Sequence, residues 1–217
     1  MKTTLFLLIF LPFLGALILA VIGRRLPRRV VETIACLSVL GSLGMAIIAF
    51  AAAGQKGQTL TLLPWFTVGD FSAEMSVYLD PLAAIMALMV TLVSSLIHIY
   101  SVGFMREDKD YVRFFCYMNL FVFAMLVVTL SDNLLFLYLG WEGVGFCSYA
   151  LIGFWHSDEV KAAAGRKAFV LTRIGDVAFG IAIALFFTTS NTLSLSSING
   201  QAASLSAGMA TALGILL

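Results

Sequence analysis

Four ionisable side chains lie in stretches of sequence where a hydrocarbon environment makes charge costly. Glu142 stands in Gly140-Trp141-Glu142-Gly143-Val144-Gly145, near the middle of the apolar run from Asn133 to Trp155. That run has the length of a membrane span, since about 20 apolar residues at 1.5 Å rise cross a bilayer's hydrocarbon core. A carboxylate at such depth costs roughly 2.5–3.5 kcal/mol on insertion scales. A cation, a water-filled cavity or a bound proton must offset that cost, and an acid held in this way is suited to proton transfer. The flanking glycines either leave room for water beside the carboxylate or form a packing notch for a neighbouring helix. Arg173 and Asp176, in FVLTRIGDVAFG, are three residues apart, share one helix face and can pair. They read either as a structural ion pair, which can still be net unfavourable when buried, or as the charges that set the field around Glu142. His98, in SSLIHIYS, has an unperturbed pKa suited to relaying protons. Its competing reading is a hydrogen-bonded packing residue among serines.

The remaining polar residues read more simply. Arg166 and Lys167 can snorkel to the interface, and His156 and Asp158 sit in a short polar loop. Asp132 is placed to cap the fifth apolar span as its N-cap, with the carboxylate near free amides. Cys36, Cys116 and Cys147 have no paired spacing, which suggests neither a disulfide framework nor a zinc site. There is no Gly-rich phosphate loop, no CxxC and no basic-aromatic tract for nucleic acid. This chain is therefore expected to bind no metal, cofactor or nucleic acid, and any redox group belongs elsewhere.

The elements that position these residues follow from composition. The chain is 61% hydrophobic and only 12% charged, outside the range of soluble globular domains. Six apolar spans run roughly over 4–22, 30–53, 81–104, 113–131, 133–155 and 164–189, with a seventh opening near 207. The first run is too long for a signal peptide, and Arg24, Arg25, Arg28 and Arg29 follow it where a cleavage site would stand. The fold class is an all-α polytopic transmembrane bundle. Between the second and third spans, TLTLLPWFTVG and SAEMSVYLD alternate apolar and polar residues around Gly69-Asp70, the pattern of a short β-hairpin. Of 13 Lys and Arg residues, ten fall in the loops after spans one, three and five and only Lys2 and Lys56 on the other side. The positive-inside rule then sets the N-terminus and the hairpin outside and the arginine-rich loops in the cytoplasm.

The runs LFLYLGWEGVGFCSYALIGFW and KAFVLTRIGDVAFG, with the earlier YSVGFMREDKDYVRFFCYMNLFVFAMLVV, resemble the subunit L family of proton-pumping NADH–quinone oxidoreductase, respiratory complex I, related to mitochondrial subunit 5. The WE dipeptide is shared by all antiporter-like subunits; GWEGVGFCSY followed by TRIGD is specific to subunit L. The resemblance implies that residues 1–217 are the N-terminal part of an antiporter-like transmembrane domain of about fourteen helices, in a chain that continues or is cut short. It implies that Glu142, Arg173 and Asp176 match the family's charged positions on helices five and six. The glutamate's lysine partner lies on a seventh helix, past Leu217. It further implies a proton half-channel driven by quinone reduction elsewhere, other membrane subunits of complex I as partners, and NADH, FMN, iron–sulfur clusters and quinone in those partners. The location implied is the bacterial inner membrane. A subunit of a multisubunit cation/proton antiporter is the alternative, against which the GWEGVG and TRIGD context argues; a packing subunit with no ion path is a third.

Overall fold

The computed structural model describes residues 1–53, 57–68, 71–201, 208, 211 and 214–215. The order is α1 (Lys2–Ile22), a 3-10 turn (Gly23–Arg25), α2 (Arg28–Ala52), β1 (Gln58–Val68), β2 (Phe71–Leu79), α3 (Pro81–Phe104), α4 (Tyr111–Leu130), α5 (Leu134–Ile152), α6 (Glu159–Ser190) and α7 (Leu195–Gln201). The first six α-helices are each long and apolar enough to cross a membrane, and this is a multi-pass membrane protein. The short α7 was not expected from the sequence, and the seventh apolar run lies mostly outside the described residues. α6 starts five residues earlier than its apolar span, because Asp158 accepts hydrogen bonds from the N–H groups of Val160 (3.0 Å) and Lys161 (3.4 Å) and so starts the helix in polar sequence. Its 32 residues extend roughly 48 Å at 1.5 Å per residue, longer than the hydrocarbon core, so the charged first turns stand clear of the membrane.

α1 to α4 form an antiparallel bundle, α5 packs on α4, and α6 packs on α5. Sheltered side chains of α1–α4 are joined to the hairpin: Leu5, Leu8, Val39, Ala46, Leu126 and Leu130 share one core with Leu62, Val77 and Leu79. The hairpin pairs antiparallel, with register shifts between Thr61 and Leu63 and between Pro64 and Phe66. The second falls beside Pro64, whose missing N–H cannot serve a regular ladder. Alternation puts Leu62, Ala73, Val77 and Leu79 against the bundle. The Gly69-Asp70 turn lies outside the described residues.

Asp132 does not cap α5. That role falls to Asn133, whose Oδ1 accepts from the N–H of Leu135 (2.9 Å) and of Phe136 (3.4 Å). Asp132 stands one residue too early, and its carboxylate turns to the segment after α6. It accepts from the Ser196 N–H and from the Ser194 and Ser196 hydroxyls, each at 3.0 Å. Its N–H donates to Ser76 O at 3.0 Å, and its carbonyl accepts from Leu195 N at 2.7 Å. Three donors offset the burial of this 2% exposed carboxylate, as burial of a charge requires. The hairpin, the start of α5 and the chain leading to α7 are stitched together there.

The glycines beside Glu142 are a packing notch. A Cβ on Gly140 would stand 2.8 Å from Val127 Cγ1 and 3.0 Å from the Ala124 carbonyl oxygen, and one on Gly143 would stand 3.0 Å from Ala124 Cβ. α5 thus approaches α4 at backbone distance, the usual function of small residues in membrane helices. Gly145 has nothing within 4 Å of that position. At the arginine-rich end the α5–α6 turn closes the same way, since a Cβ on Gly165 would meet the Gly153 Cα at 3.1 Å.

That end is also tied by side chains. Arg28 reaches the carbonyls of Met105 (2.7 Å) and Arg106 at the end of α3. The Trp155 indole N–H donates to Asp108 at 2.8 Å. The Asp110 N–H, with this indole second, holds the Asp108 carboxyl below the usual carboxylate range. A lowered carboxylate stabilises above its ordinary value and loses that contribution as pH falls through the lowered one. Asp108 is partly exposed, so screening keeps the contribution small.

Two outcomes follow. Gly140→Ala should destabilise the chain by about 1–3 kcal/mol through overpacking, whereas Gly145→Ala should stay within about 0.5 kcal/mol, both read by thermal unfolding in detergent. The Trp155 indole N–H resonance should move as pH drops below the ordinary Asp108 value of 3.8, and Asp108→Ala should abolish that transition.

Candidate functional site

Glu142 sits at mid-helix in α5, and α6 brings a guanidinium to it. Arg173 Nη1 donates to Glu142 Oε2 and lies 3.6 Å from Asp176 Oδ2. The i,i+3 pairing expected within α6 therefore exists, but the closer contact of Arg173 is across the helix interface. Side-chain exposure is 22% for Glu142, 40% for Arg173 and 5% for Asp176. The more buried of the two acids also has a neutral donor: Trp141 Nε1 donates to Asp176 Oδ1 at 2.8 Å. The Tyr138 hydroxyl reaches the Asp176 carbonyl at 3.4 Å.

Aromatic rings wall the cluster. Arg173 lies over the Phe169 ring at 4.7 Å, a favourable cation–π placement. Tyr138 and Trp141 meet Phe179 edge-on, at 5.5 and 6.1 Å between centroids. Two acids and one base leave a formal charge of minus one when all are ionised, and one proton neutralises the set. Beside it opens a cleft of about 580 Å³ between α5 and α6, whose polar lining is Asp176, Ser148 and Thr172 within mainly apolar walls. It has the volume and the polar partners that water requires.

His98 is elsewhere. It is fully buried on α3, its Nδ1 lies 2.8 Å from the Ser94 carbonyl oxygen, and its ring stands 6.2 Å from that of Phe115 on α4. Its Nε2 is buried with no hydrogen-bond partner. Thr91 and Ser95, on the same α3 stripe, donate to their own helix's carbonyls at Ala87 and Thr91. Among the described residues no hydrogen bond or ion pair joins His98 to the Glu142 cluster. No group of three or more potential metal ligands occurs among the described residues.

Two participants are absent from the sequence-derived set. Tyr138 was findable, being four residues before Glu142 and so on one helix face. Trp141 was not, because its bond to Asp176 depends on how α5 is rotated against α6.

The chain matches the family model described as NADH-ubiquinone oxidoreductase (complex I), chain 5 N-terminus, over residues 65–115. It matches that of NADH:quinone oxidoreductase/Mrp antiporter, TM, over residues 131–217. It is similar to NADH-quinone oxidoreductase subunit L of Rickettsia bellii, with 42% identity over 86% of this chain and 30% of the relative. For subunit L of Escherichia coli the identity is 41%, over 86% and 31%, and for that of Mycobacterium tuberculosis 38%, over 97% and 34%. The chain thus spans about a third of the length of these curated relatives. In fold it is similar to a chain of the Mrp complex from Dietzia sp., at TM-score 0.82 and 21% identity, over 98% of this chain and 23% of the other. It is also similar to a chain of the archaeal membrane-bound sulfane sulfur reductase, at TM-score 0.84 and 18% identity, over 100% and 43%.

Trp141→Phe should lower stability by about 1.5–3 kcal/mol, the range for a hydrogen bond to a charged group. Combined with Asp176→Asn, the two losses should be less than additive in a double-mutant cycle measured by thermal unfolding.

Proposed function

This chain belongs to the antiporter-like membrane family of NADH:quinone oxidoreductases and Mrp antiporters, and we propose that it acts as the N-terminal, proton-handling portion of a subunit L. In this reading it assembles with other membrane subunits of a proton-pumping NADH–quinone oxidoreductase in the bacterial inner membrane, with its N-terminus and hairpin outside. NADH, FMN, iron–sulfur clusters and quinone belong to partner subunits. The identity of about 40% to relatives named subunit L supports the redox-coupled reading over a stand-alone cation/proton antiporter, to which the chain is similar through the shared family model and at 21% identity in a solved Mrp complex.

The observation that carries the proposal is a guanidinium within reach of two carboxylates at membrane depth. While Arg173 holds Glu142, no proton is needed to offset that carboxylate's burial. When Arg173 turns to Asp176, Glu142 loses its counter-charge, and a proton takes the place of the guanidinium on Oε2. Return of the cation expels that proton. A charge shift elsewhere in the complex drives the exchange by favouring one partner over the other. Asp176 is suited to receive the cation, because the Trp141 indole keeps its carboxylate in place. In this reading, water reaches the cluster through the cleft, on which Asp176, Ser148 and Thr172 open.

The test is Glu142→Gln in the complete complex, with Glu142→Asp as the conservative partner. Proton translocation through this subunit should fall on the order of 10²-fold, the low end of what a positioned proton-transfer group supplies. Glu142→Asp should restore part of it, and the assembled complex should still hold its redox cofactors. Undiminished translocation in Glu142→Gln would remove the carboxylate from the path.

A further inference from the structure

At the arginine-rich end of the bundle, away from the Glu142 cluster, α4, α5 and the turn after α5 line a small open groove of about 180 Å³ whose walls include Arg113, Tyr117, Phe146, Tyr149, Phe154 and His156. Arg113 is the third residue of α4, so its charge stands where the span leaves the hydrocarbon. The protein contacts of the guanidinium are made through one nitrogen. Nη2 donates to the Phe154 carbonyl at 3.0 Å, lies 3.5 Å from His156 Nδ1 and 3.2 Å from Asp110 Oδ2. Nε is buried with no partner. The Phe154 ring supports the guanidinium face at 4.7 Å, which fixes its plane.

The geometry points to a site for the phosphodiester of an anionic phospholipid from the leaflet on the basic side. Arg113, a fixed planar fork, suits phosphate, and His156 supplies a second ring nitrogen beside it. The groove is below the 300–1,000 Å³ of small-molecule pockets and has room for a phosphate group. Its remaining walls are mainly aromatic, with Ala150 and Gly153 between the rings, as fits rings lying at headgroup level with acyl chains below. The position selects a lipid: the adjoining loop holds Arg106 and Lys109 opposed by Glu107, Asp108 and Asp110, but Arg24, Arg25 and Arg29 lie at the same end, where an anionic membrane surface attracts basic residues. This inference is independent of the proton-transfer reading, since it uses none of the same residues.

The test uses the full chain in nanodiscs of phosphatidylcholine, with and without phosphatidylglycerol. Thermal unfolding is read alongside the phosphatidylglycerol retained in native mass spectrometry. Phosphatidylglycerol should raise Tm and stay bound to the chain. Arg113→Gln should lose at least about half of the Tm gain and the retained lipid, while Arg29→Gln, an exposed cation at the same end, should keep both. Because Arg113 also ties the Phe154 carbonyl, His156→Gln and Arg113→Lys serve as variants that leave that tie intact or keep the charge without the planar fork. Each should reduce retention without unfolding the chain. Equal gains and equal retention in wild type and all Arg113 and His156 variants would overturn the site. So would inorganic phosphate in phosphatidylcholine nanodiscs giving the full Tm gain, since the ligand would then be a free anion.

Discussion

The structure depends on one demand of the solvent: hydrocarbon offers nothing to a bare charge. α5 carries a carboxylate at mid-span, and the nearest compensation comes from the next helix, not from its own. The Glu142–Arg173 contact therefore selects a rotation of α6 against α5, and that rotation in turn places Asp176 beside Trp141. Glycine makes this possible. Without side chains at Gly140 and Gly143, α5 lies close on α4, and its other face is left for the charged pair and the aromatic rings around it. Charge compensation and close packing occupy opposite sides of one helix.

The same economy governs the hairpin end. A buried carboxylate there, Asp132, is satisfied by hydroxyl and amide donors and needs no cation. The two solutions differ in consequence. A carboxylate held by several fixed neutral donors stays where it is, whereas one held by a single flexible guanidinium can change partner. The first suits a seam between segments, and the second suits transfer.

Much of this was legible in the chain itself. Apolar runs and basic loops mark six spans to within a few residues, because length and hydrophobicity are properties of each segment alone. The hairpin was visible in the alternation around Gly69-Asp70, and intramembrane charges stand out because so few exist. What was not legible depends on relative rotation of helices. The Trp141–Asp176 bond, the choice of Asn133 over Asp132 as the α5 cap, and the commitment of Gly140 to α4 all require knowing which face meets which neighbour. Periodicity within one helix does not contain that. His98, whose type suggested either a relay or a packing role, has a carbonyl of its own helix and a phenyl ring of α4 beside it.

α5 and α6 meet at both extremities, through Gly153 against Gly165 at one and through Leu134, Ile183 and Leu193 at the other, and between them they are joined by side chains, Glu142 to Arg173 and Trp141 to Asp176. An architecture anchored at its two ends and linked at its waist by long side chains permits rearrangement there while the frame stands still. Any exchange of partners by Arg173 is then a matter of torsion about side-chain bonds, over in the nanosecond regime of rotamer hops, and the tempo of the whole assembly is set by whatever slower event elsewhere tips the balance.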